Sequence, residues 1–373
     1  MVSTYIYRTN ALIMYIHEQK NWPSFRWDAE NISTILGAVR HRQGKILGQM
    51  QTLGFQIQEE TMLKALTLDV LKSSEIEGEL LNPEQVRSSI ARRLGIEIAG
   101  ALPAERDVEG IVEMMLDATQ KYNFPLTAER LFDWHAALFP TGRSGMYKIK
   151  TAAWRDDIVQ VTSGAMGKEI VHFEAPNASK VPDEMNVFLE WMEQELDLDP
   201  VLKAGLAHLW FVTIHPFDDG NGRITRAITD MLLARADKTP QRFYSMSAQI
   251  QAERNNYYNI LERTQKGDLD VTAWLTWFLD CLMRSMDQTD EIIAKTIVRA
   301  QFWETQKETI FNARQQKILQ LLLDDFFGNL NVSKYAKIAK TSTDTALRDL
   351  QDLVKKNVLE QIGAGRSTSY KLK

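Results

Sequence analysis

With 373 residues the chain is long enough for two or three domains, each with its own core. Its 44% hydrophobic and 25% charged content is that of an ordinary globular protein, and a net charge of −5 excludes a chain that is basic throughout. The single cysteine, Cys281, excludes an internal disulfide, and no apolar run reaches membrane-spanning length. The opening "MVSTYIYRTN" has neither the basic nor the apolar region of a signal peptide, so a cytoplasmic location is expected.

In chain order, "DAENISTILGAVRHRQGKILGQMQTLG" predicts a helix capped by Asp28, with Ile32, Ile35, Leu36 and Val39 on one face. A second helix is predicted from about residue 59, carrying Leu63, Leu66, Val70 and Leu71 and stopping at Gly78. The tryptophans of "NWPSFRWD" are expected to pack. Further amphipathic helices follow from 83 to 285, one of them opened by Asp199-Pro200 and ending near His215. "DDIVQVTS" and "KEIVHFE", separated by "GAMGK", read as a β-hairpin. Cys281 lies among apolar neighbours and reads as core. A long helical connector is predicted from about 287 to 311.

The last segment, 311–373, carries eleven Lys/Arg against six Asp/Glu, whereas the whole chain is acidic. Three helices and two short strands about Gly363-Ala364-Gly365 predict a winged helix-turn-helix, its recognition helix capped by Ser342. Lys334, Lys337, Arg348, Lys355, Lys356 and Arg366 are candidates for DNA phosphates. A protein-interaction or dimerisation wing with a solvated basic face stays open beside that reading.

The densest chemistry is "TIHPFDDGNGRITR", residues 213–226. A glycine-rich loop before a helix N-terminus is a natural anion site, because amides and the helix dipole converge there. Arg223 and Arg226, three apart, can reach one polyanion with guanidinium forks. A loop carboxylate can hold Mg²⁺, and His215 is the side chain here whose ordinary pKa suits proton abstraction near neutrality. These are the parts for phosphoryl or nucleotidyl transfer. No Walker A loop and no zinc-like His/Cys cluster occurs.

"HPFDDGNGRITR" resembles the Fic family signature, His-Pro-Phe-x-Asp/Glu-Gly-Asn-Gly-Arg-x-x-Arg, with every defining position filled. The likeness extends over about 105 to 285 through "LTAERLFDWHAALFP", the hairpin and "ERNNYYNILERTQKGDLDVTAW". It implies a mainly α fold: a Fic helical core at 83–285 with a β-hairpin flap, an N-terminal helical domain at 1–82, a connector at 286–310 and the winged module at 311–373. It also implies transfer of AMP from ATP to a Ser, Thr or Tyr hydroxyl of a target protein. His215 would be the base and Asp219 the Mg²⁺ ligand. Gly220, Asn221 and Gly222 would form the anion nest, and Arg223 and Arg226 would bind the distal phosphates. Tyr257 and Tyr258 would border the nucleotide, with Gln265 where relatives often carry Asn near adenine. Val171 and His172 fall on the flap, which pairs with the target's backbone.

"SSEIEGE" resembles the family's inhibitory motif, Ser/Thr-x-x-x-Glu-Gly/Asn, in the class where it precedes the core. In that class the glutamate, here Glu77 one helical turn after Ser73, pairs with Arg226, which would remove a phosphate ligand and repel a triphosphate. Some relatives use this glutamate to remove AMP, and Glu77 fits either role. Two other functions stay open: a DNA-binding regulator that senses nucleotide without turnover, and a transferase of UMP, phosphate or phosphocholine. Oligomerisation is a plausible trigger for release.

Overall fold

The computed structural model describes residues 14–98, 100–163, 170–323, 326, 329–365 and 368–373. The "GAMGK" turn and Arg366 lie outside the described residues. The chain divides into two compact units, Met1–Thr289 and Asp290–Lys373. The architecture is mainly α. Among the described residues no helix is long and apolar enough to cross a membrane.

In the first unit, α1 (Ala29–Thr52) starts where expected, the Asp28 carboxylate accepting from the amides of Glu30 and Asn31. Ile32 and Val39 are buried, whereas Ile35 and Leu36 are half-buried. The second helix, α2 (Phe55–Ile76), begins four residues before residue 59, because Gly54 caps it by backbone alone. Glu77 is its C-cap and Gly78 turns left-handed at φ 85°. Then follow α3 (Pro83–Leu94), α4 (Arg106–Gln120), α5 (Ala128–Leu138), the short ladder β1 (Arg143–Ser144) and β2 (Tyr147–Lys148), and the hairpin β3 (Gln160–Ser163) and β4 (Ile170–Glu174). The hairpin is antiparallel, with Val161 opposite Phe173 but Thr162 opposite Val171. His172 is therefore the extra residue of a bulge, a device that re-aims a side chain.

After α6 (Val181–Glu193), α7 (Pro200–Ile214) and α8 (Asn221–Asp237) form the centre of the unit. "LAHLWFVTI" is apolar on all sides, and every residue from Ala204 to Ile214 is buried. His208, inside this helix, bonds Thr229 of α8 at 2.9 Å and the Tyr257 hydroxyl at 3.0 Å. The unit is completed by α9 (Met246–Ala252), α10 (Arg254–Gln265) and the first part of α11 (Thr272–Thr305). No Gly or Pro interrupts α11, so the connector expected from about 287 continues a helix begun at Thr272. Cys281 is fully buried and free, and Trp22 packs edge-on against Phe25 and Trp210.

A buried polar network fixes α1 and α2 against the centre. Asp69 of α2, 1% exposed, accepts from the Ser245 hydroxyl at 2.6 Å and the Ser247 amide at 3.1 Å. Arg242, fully buried, pairs with Asp230 and Asp237, and Gln43 of α1 donates to Asp237 at 2.9 Å. Partnered charges of this kind tolerate no slippage, since one lost partner strands the other. The C-terminal end of α2 is thus held in register with α8.

The second unit holds α12 (Ala313–Leu323), α13 (Val332–Ile338), α14 (Thr343–Lys355) and the antiparallel pair β5 (Leu359–Ile362) and β6 (Ser369–Leu372). Ser342 caps α14, accepting from the Thr345 amide at 3.2 Å. Ile318, Leu319, Tyr335, Leu350, Leu353 and Leu359 make its core.

Candidate active site

The loop between α7 and α8 is built by backbone geometry before any side chain acts. His215 closes α7 in the left-handed region, at φ 52° and ψ 58°, which His tolerates better than most residues. Gly220 opens α8 at φ 81°, and a Cβ there would come within 2.8 Å of the Phe139 ring. Asn221 ties the turn shut: its Oδ1 accepts from the Phe217 amide at 2.9 Å and its Nδ2 donates to the Phe217 carbonyl at 2.8 Å. No side chain caps α8, so its first-turn amides face outward as an anion site.

His215 lines a cavity of about 530 Å³ together with Asp219, Asn221, Gly222 and Arg226. Its Nδ1 lies 3.1 Å from the Val212 carbonyl. A carbonyl only accepts, so Nδ1 carries the proton and Nε2 presents a lone pair. Burial, aided by the Arg155 charge, holds the imidazole below its ordinary pKa. The ring is neutral at neutral pH, the state a general base requires.

Asp219 accepts from the Ser144 hydroxyl and, at 2.6 Å, from the Gly220 amide. Its carbonyl takes a hydrogen bond from His135 Nε2 at 3.1 Å, while His135 Nδ1 accepts from the Ala152 amide at 3.2 Å. Burial pushes His135 down to about 4, so it is a neutral positioning donor. Among the described residues no group of three or more His, Cys, Asp or Glu could hold a metal by itself. One carboxylate with a neighbouring hydroxyl does suit Mg²⁺ that arrives with phosphates, because Mg²⁺ takes few protein ligands.

Both signature arginines meet carboxylates from the end of α2. Arg226, 2% exposed, donates to Glu77 at 2.7 Å, to the Ser73 hydroxyl at 2.8 Å and to the Ser73 carbonyl at 2.9 Å. The Glu77 carboxylate also lies over the start of α8: a Cβ on Gly222 would come within 2.1 Å of its Oε1. Glu77 thus lies beside the first turn of α8 while it pairs with Arg226. Arg223 departs from the expectation of a cavity residue. It pairs with Glu79 at 2.6 Å and stacks on Phe139 at 5.0 Å, outside the cavity lining. Glu79 stood in plain view in "SSEIEGE", yet its partner is 144 residues away and no local spacing reveals it.

On the far side of the cavity, Tyr257, Tyr258 and Gln265 line the wall. Tyr257 is buried with its hydroxyl already bonded to His208, and Gln265 donates to Thr213 at 3.2 Å. These two therefore shape the wall and leave Tyr258 the half-buried ring there. His172 reaches the cavity from the bulge and donates to Glu262 at 2.8 Å. Val171 points outward, 41% exposed, away from the cavity.

A helical fold with a glycine-hinged loop, a neutral imidazole and two buried guanidiniums at a helix N-terminus has the chemistry of an anion site. Residues 125–233 match the Fic/DOC family, so this segment of the chain carries a Fic domain. Residues 15–96 match a domain of unknown function, DUF4172. Over 105 residues the chain is 35% identical to the protein adenylyltransferase Fic of Drosophila grimshawi, covering 28% of this chain and 20% of that protein. The protein of the same name from Aedes aegypti is 36% identical over 106 residues, covering 28% and 19%. The chain thus spans about a fifth of the length of these relatives. A crystal structure of a Fic family protein from Desulfovibrio desulfuricans G20 shares the fold, with TM-score 0.53, 18% identity, and coverage of 93% of this chain and 97% of that one.

Proposed function

We propose that the chain is a protein adenylyltransferase that moves AMP from ATP to a Ser, Thr or Tyr hydroxyl of a target protein, its own chain included. The observation that carries this reading is the neutral His215, Nδ1 committed to Val212, beside an uncapped helix N-terminus in one cavity. The target oxygen attacks the α-phosphorus as the bond to the bridging β-phosphate oxygen breaks. Its proton passes to His215 Nε2, and pyrophosphate leaves with the electron pair. Asn221 and the amides of Gly220 and Gly222 hold the α-phosphate, and Arg226 the distal ones. Asp219 would hold Mg²⁺, which would supply charge neutralisation to the phosphates. The exposed edge of β4 at Val171 offers the target backbone a strand to pair with.

In this reading the described state is the inhibited one. Glu77 occupies both Arg226 and the α8 N-terminus, and Glu79 occupies Arg223, so the distal phosphates meet two carboxylates where they need two cations. Burial and the nearby Asp219 and Glu77 charges raise the Glu79 pKa even against Arg223. Its pairing, half exposed, is the weaker restraint. Glu79→Gln is expected to tighten ATP binding by about fivefold, roughly 1 kcal/mol, by titration calorimetry. An unchanged Kd would count against a role for Glu79.

A second activity fits the Asp290–Lys373 unit, read as a winged helix that contacts DNA. Two of the three acids on α14 are turned to protein partners: Asp349 to Arg314 and Tyr335, Asp352 to Lys356 and Gln315. Arg348 and Lys355 are exposed. Gel shift of the full chain on duplex DNA is expected to weaken on the order of a hundredfold between about 50 and 200 mM salt, for about four phosphate contacts. Absence of any shift at low salt selects the protein-interaction wing instead.

A further inference from the structure

Among the described residues Arg155 is a buried cation that makes no ion pair, although the Asp218 charge lies near enough to favour it. It is 2% exposed, and every donor bond of its guanidinium ends on a main-chain carbonyl. Nε donates to the His215 carbonyl at 2.7 Å, and Nη2 to that of Ile214 at 3.4 Å and Pro176 at 2.5 Å. Nη1 donates to the Asp157 carbonyl at 2.7 Å. The residue's own amide donates to the Pro216 carbonyl at 2.9 Å.

These acceptors belong to two places. Ile214 and His215 are the C-terminal carbonyls of α7, left without intrahelical donors and at the negative end of its dipole, where a cation is favoured. Asp157 and Pro176 flank the two strands at the base of the β3–β4 hairpin, where the Ala175 amide also bonds the Val159 carbonyl at 3.0 Å. One rigid planar fork therefore spans the left-handed His215 and the stem of the exposed hairpin. Lysine cannot reproduce that span, since a single ammonium lacks the fixed geometry of the fork.

We propose that Arg155 is the positioning residue of this site, setting the His215 imidazole in register with the hairpin that receives the target. The inference rests on the adenylyl-transfer reading for its rate effect and on the carbonyl geometry alone for its effect on His215. Loss of the fork frees the His215 carbonyl to rotate and moves the ring relative to hairpin and α-phosphate. It also removes a cation beside the imidazole.

The test uses the full chain with Glu77→Gly as parent, and adds Arg155→Met or Arg155→Lys. Transfer is read with α-labelled ATP, ATP affinity by calorimetry, and the His215 pKa by NMR of the ring. Arg155→Met is expected to lower protein labelling on the order of a hundredfold with ATP Kd within about twofold, and to raise the His215 pKa. Arg155→Lys keeps a charge there, so it is expected to leave that pKa near the parent value while labelling still falls. If Arg155→Met does not fold, the lysine variant carries the rate comparison. Labelling equal to the parent, or a loss matched by lost ATP affinity with an unmoved His215 pKa, overturns the proposal. An inactive parent strikes the adenylyl-transfer reading, and His215 ring resonances that shift in Arg155→Lys at an unmoved pKa then leave the positioning role standing.

Discussion

Glu77→Gly is expected to raise AMP transfer on the order of a hundredfold over the unaltered chain, measured as label from α-labelled ATP incorporated into protein. The magnitude follows from position. With Glu77 on Arg226 at 2.7 Å and against Gly222, a triphosphate bound as proposed would enter with its γ-phosphate displaced. A displacement of about 1 Å at the reacting centre costs on the order of a hundredfold in rate. The substitution also leaves a buried guanidinium with its Ser73 bonds and no counter-charge, which destabilises the free protein. ATP supplies the missing charge, so it is expected to raise the melting temperature of the glycine variant more than that of the unaltered chain. Equal melting shifts would show that Arg226 is not where the distal phosphates bind.

His215→Ala is expected to lower transfer at least a thousandfold, to about the upper range for loss of a general base, while ATP binds with nearly its original affinity. The separation follows from the site's construction. In the proposed reading the phosphate-binding groups are the α8 amides, Asn221 and Arg226, and none of them depends on the imidazole. In that reading His215 contributes its Nε2 lone pair to the reaction, while its Nδ1 bonds the end of α7. A parallel loss of ATP affinity and rate would assign His215 to binding. Competition of unlabelled UTP with labelled ATP, run on the glycine variant, tells an adenylyl donor from a uridylyl one.

The loop and the α2 terminus were legible in the sequence because their chemistry is contiguous. Residues 213–226 name base, carboxylate, hinge and cations in one stretch, and Ser73 and Glu77 are one helical turn apart. Arg155, His135 and Ser144 were not legible. They act on main-chain carbonyls or on a carboxylate 75 residues away, and neither periodicity nor composition encodes such partners. Arg223 shows the converse limit. Its side of the helix was readable, but its occupation by Glu79 depends on how α2 docks, which the buried Asp69 and Arg242 network decides. Tyr257, expected at the nucleotide, lines the cavity wall with its hydroxyl already bonded to His208, because an apolar helix that buries a histidine must also bury its hydrogen-bond partners. The extents of α2 and α11 differ from expectation for a simpler reason: a glycine can cap a helix through its backbone, and an uninterrupted helical pattern does not stop at a domain boundary.

The most direct measurement is intact-protein mass spectrometry of the Glu77→Gly variant after incubation with ATP and Mg²⁺, beside the Glu77→Gly/His215→Ala pair and a parallel reaction with γ-labelled ATP. The account predicts added adenylyl mass on the first protein, none on the second, and no label from the γ-phosphate on either. Equal adducts on both variants, or label arriving from the γ-phosphate, would contradict it.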